Sequence, residues 1–303
     1  MLKNAYLIIA HHNWEQLRLQ LKMLDSPYND FFIHVNKKVE MPDKDLLIGS
    51  LVYSKVYFSD RIKVIWGGYG IFKAATILLE TAVQQGKYEY FHLMTGADLP
   101  LKSNEYIMRF LTENLYLNHS GRFKTNYVDM HPPVTDPKML ARVTHYNLCV
   151  PFWKNKFSII EFIARKINRL GYFVQKILCV NRIKGLQIVH GSSWWIISDE
   201  LADYILKHKV AIEKMYSKMT FSADEFVVQT LVYNSEFAES IYSNGSPMLW
   251  DIDWDRGDGK GSPHIFSIED ADYLSRSKCL YARKFDIRVD EKIVEYVEYM
   301  RRT

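Results

Sequence analysis

Over its first 110 residues the chain alternates short apolar runs with segments of helical spacing, and this alternation constrains the fold more than any other feature. Residues 5–10 form an apolar run closed by His11 and His12, and 14–24 follow with Trp14, Leu17, Leu21 and Leu24 at helical spacing. Residues 30–36, 62–66 and 88–94 read as three more strands, with a buried helix at 71–85 and another at 104–112. Strands alternating with helices predict an α/β fold built on a Rossmann-like, mostly parallel sheet. Ligands of such sheets sit beyond the carboxyl ends of the strands. His11, Asn36, Trp66 to Gly68 and Thr95 to Asp98 are therefore the first candidates for a site.

Residues 118–150 read as an irregular, polar connection. A strand at 186–190, the segment Gly191-Ser192-Ser193-Trp194-Trp195, a helix at 199–207 and a final helix at 290–301 complete the pattern. With 303 residues, 48% of them hydrophobic, the chain is long enough for one large core. A net charge of +4 is too small to point to nucleic acid. The three cysteines, Cys149, Cys179 and Cys279, form no CxxC and are too scattered for a disulfide framework. With no signal-peptide core or spanning segment in view, the expectation is a soluble, cytoplasmic protein.

Residues 154–184 stand apart, because eight basic residues face the single acid Glu161 and alternate with large apolar residues at helical spacing. Two readings are open: a core-packed helical insertion with a solvated basic face, and peripheral contact with an anionic membrane surface.

Several chemistries are unsupported. No cluster of His, Cys and carboxylates has metal-ligand spacing, no GxSxG elbow occurs, and neither a P-loop nor a GxGxxG follows the first strand. Asp251-Ile252-Asp253 spells a cation-binding motif but falls late in the chain, where a loop is expected, and is read as a decoy. Ser222-Ala223-Asp224-Glu225 has the spelling of a helix capping box.

Seven motifs then occur in one order: Ala10-His11-His12, Ile33-His34-Val35-Asn36-Lys37-Lys38, Trp66-Gly67-Gly68, Leu93-Met94-Thr95-Gly96-Ala97-Asp98-Leu99-Pro100-Leu101, Gly191-Ser192-Ser193-Trp194-Trp195, Asp224-Glu225 and Tyr281-Ala282-Arg283-Lys284-Phe285. Together they resemble the core-2/I-branching glycosyltransferase family, which includes β-1,6-N-acetylglucosaminyltransferases and peptide O-xylosyltransferases. The resemblance implies a GT-A type fold as a single domain over 1–303, with a nucleotide-sugar half at 1–115 and an acceptor-binding, catalytic half at 116–303 that carries the basic helical insertion. It also implies inverting, metal-independent transfer of a sugar, N-acetylglucosamine first and xylose as the alternative, from a UDP-sugar to a glycan or lipid-linked glycan. No cofactor is then needed. A non-catalytic sugar-binding protein on the same scaffold is a more distant alternative.

By the same resemblance Glu225 is the general base, and Arg283 and Lys284 bind the diphosphate. A guanidinium fork and an ammonium point charge suit that task physically. His11, Val35, Asn36, Trp66, Gly67 and Asp98 would hold the nucleotide and donor sugar, and Ser193, Trp194 and Trp195 the acceptor. The family carries Asp where this chain has Asn36. The picture is of a bacterial enzyme of polysaccharide biosynthesis, with the inner face of the membrane as its possible station.

Overall fold

The computed structural model describes residues 3–153, 157–244, 249–259 and 261–302. Lys154 and Lys156 of the basic segment lie outside the described residues. In chain order the elements are β1 (Asn4–Ala10), α1 (Trp14–Leu24), β2 (Asn29–Val35), α2 (Lys44–Ile48), β3 (Val56–Phe58), α3 (Gly70–Gln85), β4 (Tyr90–Thr95), β5 (Leu99–Pro100) and α4 (Asn104–Glu113). There follow β6 (Tyr127–Val128), α5 (Pro137–Thr144), α6 (Ser158–Ile177), β7 (Trp195–Ser198), α7 (Asp199–Tyr216), α8 (Val227–Tyr233), β8 (Trp250–Ile252), α9 (Ala271–Arg276), β9 (Tyr281–Arg283) and α10 (Glu291–Met300).

β1 alternates its side chains between two cores, as a strand buried on both faces must. Ala5, Leu7 and Ile9 pack with α3, α7 and α8, whereas Tyr6, Ile8 and Ala10 pack with α1 and α4. The main sheet runs β3-β2-β1-β4-β7-β6. Its first four strands are parallel and β7 is antiparallel to both neighbours, giving the mostly parallel α/β sheet expected. A second sheet, β5-β9-β8, is covered by α10 through Phe285, Ile293, Val294 and Val297. A buried chain of hydrogen bonds joins the two sheets: Tyr6 Oη lies 3.1 Å from Tyr281 Oη, which lies 2.9 Å from His92 Nδ1.

Two expected strands are absent for the same reason. The third strand of the sheet is β3, and 62–66 instead runs past the end of β2 held by side chains. Ile62 N donates to His34 Nε2 at 3.0 Å, while the Asn36 amide accepts from Val64 N at 3.2 Å and donates to Val64 O at 3.1 Å. Residues 186–190 are held likewise: Thr230 Oγ1 accepts from Val189 N, and the Asn234 amide brackets Gln187. Side chains take several of the backbone groups of both segments, and the backbone bonds to other segments that remain, Lys37 N to Ile62 O, Val134 N to Ile188 O and His131 N to His190 O, are too scattered to form a ladder. The region 118–150, read as irregular, contains β6 and α5.

The basic segment is helical as α6, but its apolar residues point outward, contrary to the core-packed reading. No described helix is long and apolar enough to cross a membrane.

Candidate active site

The turn after β4 places Asp98 in complete burial. Its Oδ2 accepts from Thr95 N at 2.8 Å and its Oδ1 from Thr95 Oγ1 at 2.9 Å. Arg283, the last residue of β9, brings Nε to 3.6 Å from Asp98 Oδ1, and its side chain is 12% exposed. The guanidinium lies over the Trp194 ring, 4.2 Å from its centroid. Burial lowers the pKa of Arg283 and raises that of Asp98, and each opposes the shift in the other. Arg283 Nε and Nη1 are buried without a hydrogen-bond acceptor. Asp98 answers the charge of this guanidinium but takes no hydrogen bond from Nε or Nη1, and buried donors without an acceptor are costly.

Lys284 follows directly, with Nζ donating to Ser262 Oγ at 3.4 Å. The Asp251-Ile252-Asp253 motif is closer to this pair than its place in the sequence suggests. It begins on β8, where Ile252 is in register with Arg283, and not in a loop. Its carboxylates are engaged: Asp251 accepts from Tyr273 Oη at 2.7 Å, and Asp253 pairs with Arg256 at 2.5 Å.

Glu225 ends a turn of 3-10 helix at Ala223–Glu225, before α8, with its side chain 33% exposed. Its Oε2 accepts from Arg142 Nη1 at 3.2 Å and lies 3.1 Å from His190 Nε2. Both contacts fall on one oxygen, and Oε1 takes part in neither. The capping box is not formed: Ser222 is left-handed (φ 52°) and its hydroxyl caps nothing. Instead Ser222 N donates to Gly67 O at 2.7 Å, which seats the Trp66-Gly67 turn against the Glu225 loop. Gly67 needs its lack of side chain, since φ is 72° and a Cβ would come within 2.7 Å of the Phe221 ring. Trp66 meets Phe221 edge to face, with centroids 5.7 Å apart.

The segment Gly191-Ser192-Ser193-Trp194 bridges the carboxylate and the cation. Gly191 N donates to Glu225 O at 3.0 Å, and a Cβ on Gly191 would lie 1.9 Å from Asp129 O. Ser193 Oγ donates to Asp224 Oδ2 at 2.7 Å. Trp194 then carries the Arg283 guanidinium. Trp195, expected on the acceptor, is 1% exposed within β7 and has no face to offer a sugar. Strand alternation separates the pair, turning one ring into the core and leaving Trp194 at the site.

Burial, reinforced by the charge of Glu225, lifts the Asp224 carboxyl from 3.8 to about 6. A carboxyl whose folded pKa is raised favours the fold most below its unfolded value, and that advantage is lost as pH rises through the folded value. The stability of the wild type relative to Asp224→Asn is thus expected to fall between about pH 4 and 6, as read by urea unfolding. A flat difference across that window would contradict the shift.

His11 stands just past the end of β1 beside His12, ring centroids 4.2 Å apart. Partial burial, then His12 and Lys284, push its pKa down to about 4. Val35 is wholly buried, and its carbonyl accepts from Arg61 Nε at 3.0 Å. Both ends of the Asn36 amide are committed to Val64, so this side chain shapes the strand end and is not free to reach a ligand. No local pattern in the sequence marks Arg142 or His190 as a partner of Glu225.

The α/β fold thus joins, through the segment Gly191–Trp194, a partly exposed carboxylate on a 3-10 turn and a buried guanidinium at the end of β9. The chain belongs to the Core-2/I-Branching enzyme family, whose model matches residues 4–275. It is 23% identical to a human β-1,3-galactosyl-O-glycosyl-glycoprotein β-1,6-N-acetylglucosaminyltransferase, with 94% of this chain and 66% of that protein aligned. It is 22% identical to rat xylosyltransferase 2 over 99% of this chain and 34% of that protein. The chain thus spans slightly under two thirds of the first of these relatives and about a third of the second. Mouse xyloside xylosyltransferase 1, in its apo crystal structure, superposes with a TM-score of 0.39 at 10% identity, over 92% of this chain and 96% of that one.

Proposed function

We propose that the protein is an inverting glycosyltransferase that moves N-acetylglucosamine from UDP-N-acetylglucosamine to a glycan hydroxyl without a divalent cation. The observation that carries this reading is Arg283, buried, stacked on Trp194 and with two donor nitrogens that find no hydrogen-bond acceptor. In the proposed step the acceptor hydroxyl gives its proton to Glu225 Oε1 as its oxygen bonds to the anomeric carbon. The bond from that carbon to the diphosphate breaks on the opposite face, and the negative charge released on UDP meets Arg283 and Lys284. Fixed positive groups aimed where charge develops supply what a bound cation supplies elsewhere. Arg142 and His190 hold Glu225 through Oε2 and so orient Oε1. UDP-xylose is the second reading, favoured by the near-equal similarity to a xylosyltransferase.

Calorimetric titration with UDP, followed by a screen of UDP-sugars for hydrolysis and transfer in EDTA, tests the proposal. UDP binding and turnover of one UDP-sugar in EDTA are expected. Sugar binding without turnover of any donor would leave a lectin-like role, and activity lost in EDTA and restored by Mn²⁺ would overturn metal independence.

A further inference from the structure

Helix α6 packs with its polar and small residues inward. Asn168 Oδ1 accepts from Leu148 N at 2.7 Å, and Gln175 Oε1 accepts from Tyr146 N at 2.7 Å. Ala164 is buried, and a Cβ on Gly171 would lie 2.6 Å from Leu148 Cδ1. These four positions recur at helical spacing and form the stripe that faces the protein. The other side of the helix exposes Ile159, Ile163, Leu170, Phe173 and Ile177, with Leu170 at 66%. So broad an apolar face on a helix of 20 residues, about 30 Å long, marks a surface made to be covered.

Charge identifies the cover. Lys166, Arg169 and Lys176 are exposed along the apolar face, while Glu161, the single acid between 157 and 184, is tied to Arg165 at 2.8 Å. Two copies joined through this face would set these cations against each other with no carboxylate to answer them. A surface that is apolar beneath and anionic above answers both features.

We propose that α6 lies in the headgroup layer of an anionic lipid bilayer, with its apolar side chains among the acyl chains. The placement also touches the site. Ala164 packs with Val150 and Trp153, against which Phe221 rests, three residues before Asp224. If the proposed transferase activity holds, a lipid-borne acceptor would then arrive within one layer of side chains of Glu225.

Sedimentation of the full chain with phosphatidylcholine vesicles, and with mixed phosphatidylcholine–phosphatidylglycerol vesicles, tests this without requiring UDP or turnover. Binding to the mixed vesicles, weakened by salt, is expected. Replacing Lys166, Arg169 and Lys176 together by Gln should lower partitioning on the order of 100-fold. The Leu170→Asp/Phe173→Asp variant should lose binding with an unchanged thermal midpoint, because both side chains are exposed. Protein left in the supernatant with both vesicles, or variants that sediment like the wild type, would overturn the proposal. A lipid-free dimer that the Leu170→Asp/Phe173→Asp variant dissociates would overturn it in favour of a second copy.

Discussion

Glu225→Gln is expected to cut sugar transfer by about 10²–10⁴-fold, the range associated with loss of a positioned general base, with UDP affinity unchanged. The substitution is close to isosteric. The amide oxygen can still accept from Arg142, so the loop that carries Glu225 should keep its place. What disappears is the ability of Oε1 to take a proton. UDP should bind as before, because the nucleotide is proposed to meet Arg283 and Lys284 and not this carboxylate. The measurement is kcat beside a calorimetric UDP titration on the same preparation. Undiminished turnover would remove Glu225 from the chemistry and shift attention to the neighbouring Asp224.

Arg283→Lys should be nearly as severe, lowering kcat/KM by about 10²–10³-fold, as expected for the loss of a preorganised donor at the leaving group. Lys preserves the positive charge beside buried Asp98, which avoids the larger penalty of an isolated buried carboxylate. It removes the planar fork and the stacking on Trp194. The two effects separate experimentally. A folded variant with weak UDP binding and slow transfer supports the diphosphate role, whereas unfolding with normal residual kinetics would make Arg283 a structural partner of Asp98. Lys284, which holds Ser262, is not expected to compensate.

The parts of the fold that were legible in the sequence are those where one chemical signal decides the outcome. A full apolar run predicts β1, and the spacing of Trp14, Leu17, Leu21 and Leu24 predicts α1 with the bounds observed. Elsewhere tertiary partners compete with that signal. Residues 62–66 and 186–190 have strand-like composition, yet Asn36, Thr230 and Asn234 take part of their backbone hydrogen bonding and only isolated backbone bonds remain. Helix α7 was expected to stop at Lys207 and runs on to Tyr216, because Ile205, Ile212 and Tyr216 continue its buried stripe past the basic residues.

The candidate site divides in the same way. Glu225, Arg283, Lys284, Asp98 and Trp194 were marked by motifs in order along the chain. Arg142 and His190 come from a helix and an extended segment far from Glu225 in sequence, and only folding brings them to its Oε2. Of two adjacent tryptophans at the start of a strand one is expected to pack in the core, and the structure shows that it is Trp195.

The buried link from Tyr6 through Tyr281 to His92 has a consequence for how the enzyme meets changes in acidity. Burial holds His92 down to about 3 and Tyr6 up to about 12, and Tyr281 is raised well above the ordinary tyrosine value. None of the three changes charge between those limits. The joint that sets β9, and with it Arg283, against the main sheet is therefore electrically silent over the whole range in which a cell operates. Acidity can alter the protonation of the site without moving the frame on which its charges are mounted.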